Sequence, residues 1–123
     1  MAVILVVDDD ADTCESLARF LRKSNCAVVC ANDGQQAMAS LMDNKPDLIL
    51  LDLKMPEMDG IDFLNVIRSY LRWTSLPVIV ITGILDHDVE KQALKLGVRK
   101  VFTKTALQFD ELLDAIQTEL ASA

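Results

Sequence analysis

The stretch DLILLDLKMPEMDG, Asp47 to Gly60, opens as an unbroken apolar run from Asp47 to Leu51. It then sets a carboxylate, Asp52, just ahead of a loop that holds Pro56 and Gly60. Continuous Leu and Ile, without polar alternation, marks a strand covered on both faces, which is the habit of parallel sheets. The carboxyl end of such a strand is where open α/β sheets hold their ligands. Asp52 therefore reads in two ways, as a residue placed for chemistry and as a turn cap. The rest of the chain has to decide between them.

Working outward, four more short apolar runs occur: VILVV (Val3 to Val7), CAVVCA (Cys26 to Ala31), PVIVI (Pro77 to Ile81) and KVFT (Lys100 to Thr103). Between them lie amphipathic stretches. Leu17, Phe20 and Leu21 fall at helical spacing, as do Phe63, Leu64 and Ile67, and later Leu112, Leu113 and Ile116. Asp12 with Glu15, Asn32 with Gln35 and Thr105 with Gln108 each fit a helix cap followed three positions later by a reciprocating acid or amide. The alternation predicts an α/β protein, a doubly wound five-stranded parallel sheet with helices on both faces. Trp73 is expected where the third helix ends, as a partly exposed packing residue.

The chain has 123 residues, which suits one domain with a single core. Apolar residues make up 51 % and charged residues 25 %, a globular composition. The apolar runs are strand-sized, so neither a membrane span nor a signal peptide is read, and a cytoplasmic protein is expected. The net charge of −7, with Lys and Arg scattered, repels nucleic acid, so no direct nucleic-acid binding is expected. Cys14, Cys26 and Cys30 lack metal-ligand spacing and read as reduced, mostly packed thiols.

In a parallel sheet the carboxyl ends of all strands share one edge. Asp8, Asp9 and Asp10 follow the first strand, Asp52 the third, Thr82 and Gly83 the fourth, and Lys104 the fifth. With strands one, three, four and five as neighbours, carboxylates, a hydroxyl and an ammonium meet in one cleft. Two like charges about 4 Å apart repel by roughly 4 kcal/mol at an effective dielectric near 20. A hard divalent cation such as Mg²⁺ relieves that cost, since it favours carboxylate, carbonyl and water oxygens. Asp10 and Asp12 read as solvated acids at the start of the first helix, and His87, between Asp86 and Asp88, as a solvated histidine.

The acidic pair Asp8 and Asp9, then Asp52 with Pro56 and Gly60 behind it, then Thr82 and Lys104, resembles the receiver domain of two-component response regulators over essentially the whole chain, residues 1–123. The resemblance implies the flavodoxin-like strand order 2-1-3-4-5. It also implies that Asp52 accepts a phosphoryl group from a phosphohistidine of a partner histidine kinase or phosphotransfer protein. Asp8, Asp9, Asp52 and the backbone carbonyl of Lys54 would hold Mg²⁺, with Asp8 acting mainly through water. Thr82 and Lys104 would bind phosphoryl oxygens. The Lys54 ammonium either contacts phosphate or points into water. The product would catalyse its own phosphorylation and dephosphorylation while serving mainly as a switch for a downstream effector.

Two positions depart from the family pattern. Thr105 stands where proline usually follows the lysine, and Val101 stands where Tyr or Phe is usual, with Phe102 next to it but on the opposite face by strand alternation. Two other readings stay on the page. One is a receiver-like module that binds partners without phosphorylation. The other is a flavodoxin-like cofactor binder, disfavoured because aspartates follow the first strand instead of a phosphate-cradling loop.

Overall fold

The protein is described here by a computed structural model covering residues 1–55, 58–83 and 86–122. Pro56 lies outside the described residues. The strands are β1 (Val3–Val7), β2 (Ala27–Ala31), β3 (Leu48–Leu51), β4 (Val78–Thr82) and β5 (Lys100–Thr103). The helices are α1 (Ala11–Lys23), α2 (Gly34–Asp43), α3 (Gly60–Arg68), α4 (His87–Lys95) and α5 (Phe109–Ala121). All strand pairs are parallel, in the order β2-β1-β3-β4-β5, as the flavodoxin-like reading requires.

Strand alternation sorts the core into two layers. Ile4, Val6, Leu48, Leu50, Ile79, Ile81 and Phe102 face α1 and α5, where Leu17, Leu21, Leu112 and Ile116 cover them. Leu5, Val7, Ile49, Leu51, Val78 and Val80 face α2, α3 and α4, where Leu41, Phe63, Ile67 and Ala93 cover them. The central strands β1, β3 and β4 are covered on both faces, which explains their unbroken Val, Ile and Leu runs, whereas the edge strands expose Val29, Cys30 and Lys100. Val101 packs on the second layer and Phe102 on the first, so the two sit on opposite faces of β5 as alternation predicts. No described helix is long and apolar enough to cross a membrane.

Four local expectations are corrected. The cap of α1 is Asp10, whose side chain accepts the Asp12 N–H, and the cap of α2 is Asp33, which accepts the Gln36 N–H at 2.7 Å. Each helix is entered from a strand end, and the first residue with extended backbone beside two free N–H groups takes the role. Thr105 caps nothing: the chain makes a turn after β5, with Ala106 N–H donating to Thr103 O at 3.3 Å, and α5 starts only where Phe109 stacks on Phe20 at 4.7 Å. No described peptide bond is cis, so the Lys104–Thr105 bond is trans. Trp73 is buried at 2 % exposure, because a 3-10 turn at Leu71–Trp73 folds it under α3. There the Arg68 guanidinium donates to the carbonyls of Trp73 and Leu76, each at 2.8 Å, and of Leu96 at 2.7 Å. Burial, and after it the charge of Arg99, lowers the Arg68 pKa from its ordinary value, while these three hydrogen bonds all go to carbonyls.

Gly60 ties the fold to the strand edge. Its N–H donates to Leu53 O at 2.8 Å, and a Cβ here would stand 2.5 Å from Leu53 Cα and 2.7 Å from Asp52 O. Backbone atoms cannot yield as a flexible side chain would. Gly60→Ala is therefore expected to cost about 1–3 kcal/mol, the usual penalty of overpacking. Urea denaturation checks it, and an unchanged midpoint would show that the loop after Asp52 gives way freely.

Candidate functional site

The site forms because ladder bonds run one residue past the strands. Asp8 N–H donates to Ala31 O at 3.1 Å and Asp52 N–H to Val7 O at 2.9 Å, while Val7 pairs with Leu51. Asp8 and Asp52 thus stand side by side, both with the even-numbered parity that faces α1 and α5. Lys104 shares that parity. Its N–H donates to Thr82 O at 2.8 Å, which extends the β4–β5 pairing and brings the side chain back across the sheet edge.

Asp8, Asp9 and Asp52 each offer a carboxylate oxygen, and the three oxygens lie within 4.8 Å of one another. Asp8 and Asp52 are buried, and Asp9 is exposed. Lys104 Nζ lies 2.9 Å from Asp8 Oδ2 and 3.3 Å from Asp52 Oδ2, bridging the two buried acids. The other oxygen of each acid takes a backbone donor: Asp10 N–H to Asp8 Oδ1 at 2.9 Å, and Lys54 N–H to Asp52 Oδ1 at 3.2 Å. Both are the tight turns expected where an aspartate ends a strand.

Burial pushes the Asp8 carboxyl above its ordinary value, and the charge of Asp52 adds to the rise, while Lys104 and the Asp10 N–H hold part of it back. Lys104 is pulled down by burial, but its hydrogen bonds and charge contacts with Asp8 and Asp52 together outweigh that and raise it. Asp10, exposed, is lowered chiefly by its hydrogen bond from the Thr13 hydroxyl, as a helix cap.

The donor set suits a small hard cation. Oxygens 2.0–2.1 Å from one Mg²⁺ lie roughly 3 to 4 Å apart, so a slight contraction of the trio suffices, with water completing the shell. This acidic trio is where a metal ion fits among the described residues.

Thr82 is buried at the end of β4 and follows Val78 and Val80 onto the other face of the sheet, opening onto a hollow that Lys54, Met55 and Val89 also line. The cap of α4 is Asp86, whose side chain accepts the Asp88 N–H at 2.8 Å, so Thr82 serves at a strand end and not as a cap. Lys54 is exposed. A Cβ on Gly83 would meet nothing within 4 Å, which leaves the approach past β4 open on that side. His87 is solvent-exposed at the first position of α4. The three cysteines are free thiols; Cys14 and Cys26 are buried and Cys30 is exposed.

Two residues near the site are not singled out by the sequence. The Asp8 carbonyl accepts the Asn32 amide Nδ2–H at 3.1 Å and the Cys14 thiol at 3.3 Å. The available signal is positional: Asn32 follows β2, on the same edge of the sheet as the acids, whereas its spacing to Gln35 points only to a helix cap.

The comparisons with known proteins agree with this geometry. The family model of the response regulator receiver domain matches residues 4–117. Transcriptional regulatory protein ZraR of Klebsiella oxytoca is 38 % identical over 118 residues, 96 % of this chain but 26 % of that protein. Transcriptional regulatory protein PrrA of Mycobacterium tuberculosis is 38 % identical over 94 residues, 76 % of this chain and 40 % of that protein. This chain therefore spans well under half the length of these curated relatives. Among solved structures, a response regulator receiver protein from Pseudomonas putida superposes with a TM-score of 0.90 at 28 % identity, covering 95 % of this chain and 96 % of that one. With the sheet order, the acidic strand edge and a family match over nearly its whole length, the chain belongs to the response regulator receiver domains of two-component systems.

Proposed function

We propose that the chain, acting as one receiver unit over residues 1–123, is a phosphorylatable switch. Asp52 accepts a phosphoryl group from the phosphohistidine of a histidine kinase or phosphotransfer protein. Asp8, Asp9, Asp52 and the backbone carbonyl of Lys54 hold Mg²⁺, while Thr82 and Lys104 take phosphoryl oxygens. The observation that carries this reading is the convergence of three carboxylates with the Lys104 ammonium at one strand edge.

In the transfer, a lone pair of the Asp52 carboxylate forms the new P–O bond as the P–N bond to the donor imidazole breaks, its electrons returning to the ring nitrogen. Bound Mg²⁺ supplies charge neutralisation for a reaction that consists largely of positioning. The chain's own part is to aim Asp52, which the Lys54 N–H and Lys104 do from two sides. Lys104, already 3.3 Å from Asp52 Oδ2, is within reach of an anion seated there and adds a charge-assisted contact. The resulting acyl phosphate biases partner binding by a downstream effector protein or domain. With a net charge of −7, the chain itself is assigned no nucleic-acid contact, and a cytoplasmic setting suits the proposed kinase partner.

Incubation with acetyl phosphate and Mg²⁺ should add one phosphoryl group by intact mass, removed by hydroxylamine as an acyl phosphate is. A protein that never gains the group would instead be a receiver-like module that binds constitutively.

A further inference from the structure

The carbonyl of the peptide group joining Asp8 to Asp9 is held by two side chains from outside the acidic trio. Asp8 is fixed by its own bonds, with Oδ1 on Asp10 N–H and Oδ2 on Lys104. Asp9 is exposed, so turning that peptide plane is an easy way for the trio to relieve its repulsion, since the Asp9 carboxylate swings into water. What opposes the turn is the grip on the Asp8 carbonyl by Asn32 Nδ2 at 3.1 Å and Cys14 Sγ at 3.3 Å. The end of β2 holds Asp8 at both its backbone groups: Ala31 O accepts its N–H, and Asn32 donates to its C=O. Asn32 is itself anchored, its N–H donating to Gln36 Oε1 at 2.9 Å and its amide lying 3.6 Å from Cys14 Sγ.

We propose that Asn32, assisted by Cys14, is a positioning residue that fixes the Asp8–Asp9 peptide plane, keeps Asp9 with the other two acids, and so sets the affinity of the site for a divalent cation. This rests on the reading of the trio as a cation site. Removing an outer partner that orients a metal ligand typically costs 10–100-fold in affinity. Asn32 acts one bond further away, through the backbone, so the lower end applies.

Mg²⁺ titration calorimetry on wild type, Asn32→Leu, Asn32→Ala, Cys14→Ala and Cys14→Ser tests this, alongside thermal denaturation in a chelator. Both Asn32 variants should bind Mg²⁺ about tenfold more weakly while melting within a few degrees of wild type. Cys14→Ala should weaken binding, and Cys14→Ser, which keeps an O–H donor for the Asp8 carbonyl, should restore it. A residue that merely braced the turn from β2 to α2 would lower the melting point and leave affinity alone, so undiminished Mg²⁺ binding by either folded Asn32 variant overturns the inference. Wild-type protein that takes up no Mg²⁺ overturns the cation reading itself, and the inference with it.

Discussion

Asp52→Asn, incubated with acetyl phosphate and Mg²⁺, is expected to gain no phosphoryl mass under conditions that fully modify wild type. Three carboxylates share the site, so the selectivity needs a reason. Asp8 is committed: Oδ1 takes the Asp10 N–H and Oδ2 the Lys104 ammonium, each at 2.9 Å, and burial raises its affinity for a proton. Asp9 is exposed, and its carboxylate is solvated. Asp52 combines burial with longer contacts, 3.2 Å to Lys54 N–H and 3.3 Å to Lys104, which hold its direction while leaving lone pairs open to an incoming phosphorus. The substituted amide keeps the shape and an acceptor for the Lys54 N–H, so the variant should fold as wild type does. It lacks the anionic nucleophile, and only a residual rate through a neighbouring acid is open to it, at least about 10³-fold slower by analogy with other lost nucleophiles. Unchanged uptake by Asp52→Asn, with peptide mapping to Asp8 or Asp9, would reverse the assignment.

The sheet was legible in the sequence because strands dry on both faces must be apolar at every position, a signal that survives in four or five residues. All five runs became strands, with boundaries moving by a residue: Asp47 stays outside β3 because its carboxylate takes the Val3 N–H at 2.7 Å, and Pro77 outside β4 although its carbonyl accepts the Ile49 N–H. The convergence of Asp8, Asp9, Asp52 and Lys104 was legible for a topological reason, since strand ends of a parallel sheet share an edge whatever the loops do.

What sequence spacing could not supply was local turn geometry. Asp10 and Asp12 both have cap chemistry, and only the backbone leaving Asp8 selects Asp10. Trp73 reads as a partly exposed packing residue because it falls where the third helix is expected to end, and the 3-10 turn that buries it leaves no periodic trace. Asn32 was missed for a similar reason. Its amide acts across 24 residues on a main-chain carbonyl, and main-chain groups do not show in a list of side chains.

The second large effect is expected at Lys104. Without metal, this ammonium is the cation bridging two buried carboxylates, at 2.9 and 3.3 Å, and its own side chain is 28 % exposed. Lys104→Met keeps the aliphatic stem and deletes the charge, leaving Asp8 and Asp52 adjacent and uncompensated. Removing one partner of a buried ion pair costs roughly 3–5 kcal/mol, and the partial exposure of Lys104 argues for about 3 kcal/mol here. For a domain of this size that lowers the melting point by roughly 10 °C in a chelator. The pH dependence carries a definite sign. Because the folded state raises the Lys104 pKa, its contribution is complete below the ordinary lysine value of 10.5 and is lost as pH climbs through the raised one, so the gap between variant and wild type should close at strongly alkaline pH. Mg²⁺ should act in the opposite direction. On the proposed reading, wild type would bind the ion against the repulsion of an ammonium already lodged between two of the acids, whereas the variant would offer the same acids with nothing competing, so its Mg²⁺ affinity should rise and saturating Mg²⁺ should recover much of the lost stability. Acceptance of phosphoryl should nonetheless fall if Lys104 meets the transferred oxygens as proposed, since that charge is gone. Thermal melts of both proteins with and without Mg²⁺, at neutral and strongly alkaline pH, read the stability and the metal linkage, and intact mass after acetyl phosphate reads the acceptance. Equal melting points in chelator, or weaker Mg²⁺ binding in Lys104→Met, would mean that Lys104 is a surface lysine resting near the acids and not the counter-ion that holds the site together before the metal arrives.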